Sequence, residues 1–454
     1  MDESGSSNIN PLALLFLLVM SLLVFTSRPK TAIRAVLATA AFVPLGQQIN
    51  LGGLHLYFLR LLILAGLMRL FSRGELRGFR LIGVDKLIIC WSVVGLVCGL
   101  IRDPSPEVVG RVYDDLGVYF IFRALMRDMD DCLNDLKLLA VVGVLIAMSM
   151  SVENLTNHNP FYFLGGVPDI PALRDGRFRC QGPFQHAILA GTFGATLIPL
   201  MVGLWQQGAQ SRGRMVAIFG LLAGTIITVT SASSGPLMTY VAAGVGFGLW
   251  LIRKNMRWFR RGCVAFVLAL GLMMKAPVWF VIARLSDFTG GGGYYRAQLI
   301  DRCINHFSEW WLIGTSFTAN WAEGDNIVLE TNAKMVDITN HYILQGINGG
   351  LLKLILFIAI LTSCFKITGR YALDMDAPKQ QRQLSWALGV CLACHCTAFI
   401  SVAYFDQIQV FWFWLLAAIA TLPVQAERRA EQEAEARAED QIDSAGEPLA
   451  SPVG

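Results

Sequence analysis

Apolar stretches recur along the whole chain at about the length that a bilayer demands. A helix needs roughly 20 apolar residues to cross the hydrocarbon layer, and such runs are read near 12–26, 32–45, 54–71, 84–101, 112–126, 133–151, 187–205, 215–231, 235–252, 263–283, 342–366, 384–403 and 409–423. Within lipid each backbone amide must bond inside its own segment, so runs of this kind fold as helices. The expected fold is an all-α polytopic membrane protein with 12 or 13 transmembrane helices, the second run being short enough to leave the count open. A mean hydropathy of +0.52 and a charged fraction of 15% exclude an ordinary soluble domain. The first run follows an acidic start free of Arg and Lys and lacks a cleavage site, so no cleavable signal peptide is expected.

Lys and Arg set the expected orientation. Arg28, Lys30 and Arg34 fall in one connection, and Arg69, Arg73, Arg77 and Arg80 in the next but one. Arg127, Arg212 and Arg214, the Arg253–Arg261 cluster, and Arg370, Lys379 and Arg382 continue the alternation. Basic connections stay in the cytosol, which places the N-terminus outside and the C-terminus inside. The chain then divides into N-terminal spans (1–151), a first periplasmic loop (152–186), central spans (187–285), a large periplasmic loop with short helices (286–341), C-terminal spans (342–423) and a cytosolic tail (424–454). The tail is polar, alanine-rich and mixed in charge, and reads as a helix fraying into disorder. A net charge of only +4 gives no reason to expect nucleic acid as a partner.

The two outer stretches hold most of the polar side chains available for chemistry outside the cytosol. The first contains Arg174, Arg177, Arg179 and His186; the second contains Arg296, Arg302, His306 and His341. Cations gathered just above a bilayer suit an anionic, lipid-linked substrate. Taken singly, each has a plainer reading: the arginines could bind lipid head groups or pair with Asp169, Asp175 and Asp301, His341 could serve only near a helix start, and His186 could bond a loop carbonyl. His158 and His306 read as loop residues. Gly290 to Gly293 could be the joint of a mobile lid or a plain connector. Trp310, Trp311 and Trp321 could stack on sugars or lie in an interfacial belt. The short helices of the large loop are read near Asn305–Trp311 and Thr331–Asp337.

Several other patterns carry less. Cys391-Leu-Ala-Cys394-His395 matches a haem-attachment spacing, but sits in mid-span. Gly244, Gly246 and Gly248 fit close helix packing better than a dinucleotide site. Asn154-Leu-Thr156 is a glycosylation sequon of no consequence in a host that does not glycosylate. Cys180 and Cys303 lie in the two outer stretches and could be bridged, although chance placement is the plainer reading. Among charges near or inside spans, Asp114, Asp115, Arg123, Lys275 and Lys353 read first as structural.

Two ordered pieces of sequence carry a family likeness. One is Arg177-Phe-Arg179-Cys-Gln-Gly182-Pro183-Phe184-Gln-His186. The other is Asp337-Ile-Thr-Asn340-His341-Tyr342-Ile-Leu344, followed by Gly349 and Gly350. Between them stand Tyr294-Tyr-Arg296 and Trp311-Leu-Ile-Gly314-Thr-Ser. In this order the chain resembles the O-antigen ligase and polysaccharide polymerase superfamily of bacterial membrane glycosyltransferases, over about 190–400. It departs from that pattern at Gly314-Thr-Ser316, where a second Gly is lacking. It departs again at Ser231-Ala-Ser-Ser-Gly235, where an Arg commonly precedes the Gly.

The resemblance implies transfer of a glycan from undecaprenyl pyrophosphate to an acceptor hydroxyl at the periplasmic face of the cytoplasmic membrane, without metal or other cofactor. Arg179 and Arg296 would bind the donor pyrophosphate, with Arg177, Arg302 and His186 in reserve, and His341 would be catalytic. The chemistry agrees: a leaving pyrophosphate needs guanidinium groups, and a neutral imidazole can accept a hydroxyl proton. The acceptor would be another glycan if the protein is a polymerase, or lipid A core if it is a ligase. Membrane lipids and other polysaccharide-assembly proteins would be further partners. A flippase for the same lipid-linked glycans is the reading from another class, and it would call for repeats and polar spans that the sequence lacks.

Overall fold

The computed structural model describes residues 9–44, 47–51, 54–174, 176–207, 211–287, 293–322 and 335–446. The architecture is helical, with four short strands. Helices α1 (Pro11–Thr26) and α2 (Pro29–Phe42) lead to a hairpin of β1 (Gln48–Leu51) and β2 (Leu54–Tyr57), then to α3 (Phe58–Ser72), α4 (Gly83–Arg102), α5 (Pro106–Leu125) and α6 (Met129–Thr156). A second hairpin, β3 (Ala172–Arg174) and β4 (Arg177–Arg179), precedes α7 (Ala187–Gln207), α8 (Ser211–Thr230), α9 (Ser234–Gly248) and α10 (Met256–Met273). Short helices α11 (Val281–Asp287), α12 (Gly293–Asn305) and α13 (Phe307–Trp310) follow. The chain closes with α14 (His341–Leu373), α15 (Lys379–Ala398) and α16 (Gln407–Gly446).

Among the described residues seven segments are long and apolar enough to cross a membrane: 83–102, 129–156, 187–207, 212–230, 234–273, 341–373 and 407–428. The protein is therefore an all-helical, multi-pass membrane protein. The other runs read from the sequence also form helices, but with reasons to fall short. α2 and α3 have 14 and 15 residues, α5 carries Glu107, Arg111, Asp114, Asp115 and Arg123, and α15 opens on Lys379-Gln-Gln-Arg382. Residues 54–57, read as the start of a helix, belong instead to β2, paired with β1. The run read at 263–283 ends at Met273, since Pro277 bars the residue before it from helical geometry. The tail, read as fraying after 424, continues α16 to Gly446; residues 447–454 lie outside the described set.

Small residues set the spacing at the centre. A Cβ on Gly194 of α7 would meet the Gly224 carbonyl of α8 at 2.8 Å, so these helices approach backbone to backbone. Three arginines within the bundle are paired with carboxylates. Arg69 is fully buried, holds Glu75 through two 2.8 Å bonds and donates to the carbonyls of Val24 and Ser27 at 2.7 Å. Arg123 bonds Asp85 at 3.2 Å, and Arg60 bonds Asp114 at 3.2 Å. These contacts bear out the structural reading of Arg123 and Asp114.

α14 is not one straight rod. Gly349 and Gly350 break its helical backbone, Gly350 at φ +70°. The His341 and Phe357 rings lie 5.3 Å apart, whereas sixteen residues of unbroken helix would separate them by about 24 Å. The segment after the glycines therefore folds back past the segment before them. Arg102, at the end of α4, donates to the carbonyls of Thr315, Ile347 and Asn348 and so fixes this reversal.

Candidate functional site

Residues of the β3–β4 hairpin, the α8–α9 turn, α12, the segment before α14 and the α15–α16 connection line a cavity of about 870 Å³. Its wall includes Arg174, Arg177, Arg179, His186 and Arg296, and, among the described residues, Asp337 is its one acidic group. The far wall is apolar, with Val229, Leu237 and Phe405 exposed on the bundle surface. The cavity is thus cationic in one part of its lining and bordered by exposed apolar side chains in another.

Three of the arginines come from the β3–β4 hairpin. Arg174 pairs with Arg177 across the strands, and Arg179 is two residues further along β4. A period of two puts all three on one face. Like charges directly opposed cost stability, so this face is built for something other than the hairpin's own folding. The Gly182-Pro183-Phe184 turn that follows is fixed from several sides. Glu153 accepts from the amides of Gln181 and Gly182 at 3.0 and 2.8 Å, Asn159 donates to the Gly182 carbonyl at 2.8 Å, and Gln407 donates to the Pro183 carbonyl at 2.6 Å. Gly182 has φ +55° and packs on Met150, a geometry that suits glycine.

Arg179 donates to the Ser233 hydroxyl at 2.8 Å, and Arg296, from the first turn of α12, lies 3.4 Å from the Ser234 hydroxyl. Among the described residues neither has a carboxylate within 4 Å, and the Nε of Arg179 is buried without a partner. Burial and the charge of Arg174 lower the pKa of Arg179; burial, Arg174 and Arg179 lower that of Arg296 to about 10. Both stay charged at neutral pH. Ser233 heads α9 but does not cap it with its side chain, which donates to the Ser231 carbonyl at 3.0 Å. Ala232, at φ +43°, shapes this turn. Ala232, Ser233 and Ser234, within the segment that departs from the family pattern, thus line the cavity.

His186 lines the cavity, with Nδ1 accepting the Ile188 amide at 3.1 Å. Burial and the neighbouring Arg179 push its pKa down to about 4, so the ring is neutral with Nε2 carrying the proton. Asp337 stands on the segment just before α14, its carboxyl raised by burial. The sequence places it at the end of the short helix read near Thr331–Asp337 and at the head of the Asp337–Leu344 stretch, not among the site residues.

Two sequence candidates lie elsewhere. Arg302 is six residues after Arg296 on α12, about 120° away around the helix, and does not line the cavity. His341 is 6% exposed and stacks on Phe399 with centroids 4.6 Å apart. Its Nδ1 accepts the Tyr404 amide at 3.0 Å and its Nε2 lies 3.0 Å from the Gln345 side-chain amide. Neither nitrogen faces the cavity, because the reversal of α14 turns this ring into the aromatic core.

Trp310 and Trp321 are buried, donating to Cys303 O and Glu309 respectively, while Trp311 is exposed. Cys180 and Cys303 are separate buried thiols, and Cys391 and Cys394 are buried beside His395, which bonds the Tyr404 hydroxyl at 2.6 Å. α13 falls within the helix read at Asn305–Trp311. Residues 331–334 and Gly290–Gly292 lie outside the described set, and 335–337 are not helical. No cluster of metal-binding side chains occurs among the described residues. No protein-family model matches the chain, and no curated protein shows significant similarity to it.

Proposed function

We propose that the cavity holds the pyrophosphate of a polyprenyl-linked glycan and that the protein transfers the glycan to an acceptor hydroxyl. The observation that carries this reading is the set of cations lining one cavity, with Arg179 and Arg296 resting on serine hydroxyls instead of carboxylates. A built cationic space of this kind favours a multiply charged anion. Its open apolar wall at Val229 and Leu237 suits a ligand whose tail stays in the bilayer.

Arg179 and Arg296 grip the two phosphates and stabilise the charge that develops as the bond to the sugar breaks. Arg177 and His186 add donors, the latter through Nε2–H. Arg302 lies outside the cavity lining. Attack opposite the departing pyrophosphate inverts the anomeric centre. The end of the bundle bearing the cavity faces the periplasm of a bacterial cytoplasmic membrane in this reading. Its support is the run of basic residues at the other end, Arg28, Arg73, Arg77, Arg127, Arg253 and Lys254. Joining one lipid-linked glycan to another is the preferred reaction.

The test is the size profile of lipid-linked and surface glycans in a deletion strain complemented with wild type or Arg296→Ala. Loss of long chains to single repeat units in both the deletion and the variant supports polymerisation. Long chains that accumulate on the lipid carrier would instead indicate ligation to lipid A core or another acceptor. An unchanged profile in the deletion strain rejects the reading.

A further inference from the structure

We infer that Asp337, and not His341, takes the proton from the acceptor hydroxyl. This rests on the glycosyl-transfer reading above. Among the described residues Asp337 is the one carboxylate lining a cavity that also presents Arg174, Arg177, Arg179 and Arg296. Its side chain nevertheless makes no ion pair or hydrogen bond with any of them, while the Tyr295 hydroxyl bonds its backbone carbonyl. Asp337 is thus a carboxylate on the wall of an otherwise cationic cavity, bonded to none of its guanidinium groups and open to an incoming hydroxyl. Ile338 and Thr339 line the cavity beside it, and Asn340 anchors the segment by accepting the amides of Tyr342 and Ile343.

The step balances as follows. The acceptor oxygen forms a bond to the anomeric carbon as that carbon's bond to the pyrophosphate oxygen breaks. The bonding pair leaves on the pyrophosphate, whose charge the arginines meet. The hydroxyl proton passes to a carboxylate oxygen of Asp337, which releases it to solvent after the product leaves. His341 cannot take that proton where it stands, since both ring nitrogens are engaged in the core.

Burial raises the Asp337 carboxyl, and the charged and titratable groups that line the same cavity are Arg174, Arg177, Arg179, Arg296 and His186. As a base it acts when deprotonated, so turnover rises with pH through its titration and then levels. The experiment uses the full-length protein in nanodiscs with undecaprenyl-pyrophosphate-linked glycan as donor, reading both turnover and donor binding. Asp337→Asn is expected to lower turnover by about 10²–10⁴-fold with donor affinity within a few-fold of wild type, and to abolish the acidic limb of the pH profile. His341→Gln, which keeps a polar group in the core, is expected to retain turnover within about tenfold. If Asp337→Asn turns over normally while wild type is active, the inference fails and the function stands. If His341→Gln, folded and binding donor normally, loses turnover as Asp337→Asn was expected to, the assignment of the base is overturned. If wild type neither binds nor transfers the donor, the functional reading itself fails and Asp337 with it.

Discussion

Arg179 and Arg296, 117 residues apart in sequence, stand on neighbouring residues of one turn: the first bonds Ser233 and the second reaches Ser234. The turn between α8 and α9 thus fixes the spacing of the two guanidinium groups. Removing either side chain takes away charge-assisted bonds worth about 1.5–3 kcal/mol each. Arg179→Ala and Arg296→Ala should weaken binding of undecaprenyl pyrophosphate about 10–100-fold, measured by titration of the purified protein. Lys at either place should recover only part of the loss, because an ammonium cannot make a two-pronged contact.

Arg69 and Glu75 should matter for stability and not for ligand affinity. Taking one partner from a buried pair leaves the other charge uncompensated, at a cost of about 3–5 kcal/mol. Arg69→Ala should therefore lower the unfolding temperature in detergent markedly, with donor affinity unchanged in whatever fraction remains folded.

Gly350→Ala tests the reversal of α14. The position has φ +70°, and an added Cβ would sit against the carbonyls of Leu312 and Trp311. A left-handed backbone costs a non-glycine residue about 1–3 kcal/mol before any clash. The variant should lose thermal stability, and it should lose more than Gly369→Ala, where an added Cβ meets nothing within 4 Å.

His186 should impose an acid dependence. Its folded-state pKa of about 4 lies below the usual 6.5, so the unfolded chain binds the proton more readily. That penalty is absent above pH 6.5 and grows as the pH falls toward 4. His186→Gln should flatten this part of the stability profile when thermal unfolding of the two proteins is compared across that range. Bound pyrophosphate should reduce the wild-type penalty by favouring the charged ring.

Much of this was legible in the sequence. Apolar runs marked the helices because lipid allows the backbone few alternatives, and Arg177, Arg179, His186 and Arg296 could be picked out as cations among apolar neighbours. Arg302 could not be told from Arg296, since the difference is the face of α12 on which each stands. The place of His341 was hidden because the residues after it, apart from Gln345 and Asn348, are apolar or glycine and run on into the apolar stretch beyond Gly349 and Gly350. Composition alone reads them as one straight span, and only the folded backbone reveals the reversal that buries the ring. Asp337 was hidden for the opposite reason: a lone acid in a polar loop has no pattern until the chain closes around it.

The grip of Arg102 has a consequence for how such a protein can vary. Its guanidinium holds the carbonyls of Thr315, Ile347 and Asn348, atoms that every residue type supplies alike. At the exposed positions of the loop the side chains are free to diverge while the same three oxygens keep the frame. A lineage can thereby change the exposed side chains at this end of the bundle without rebuilding the joint that holds it.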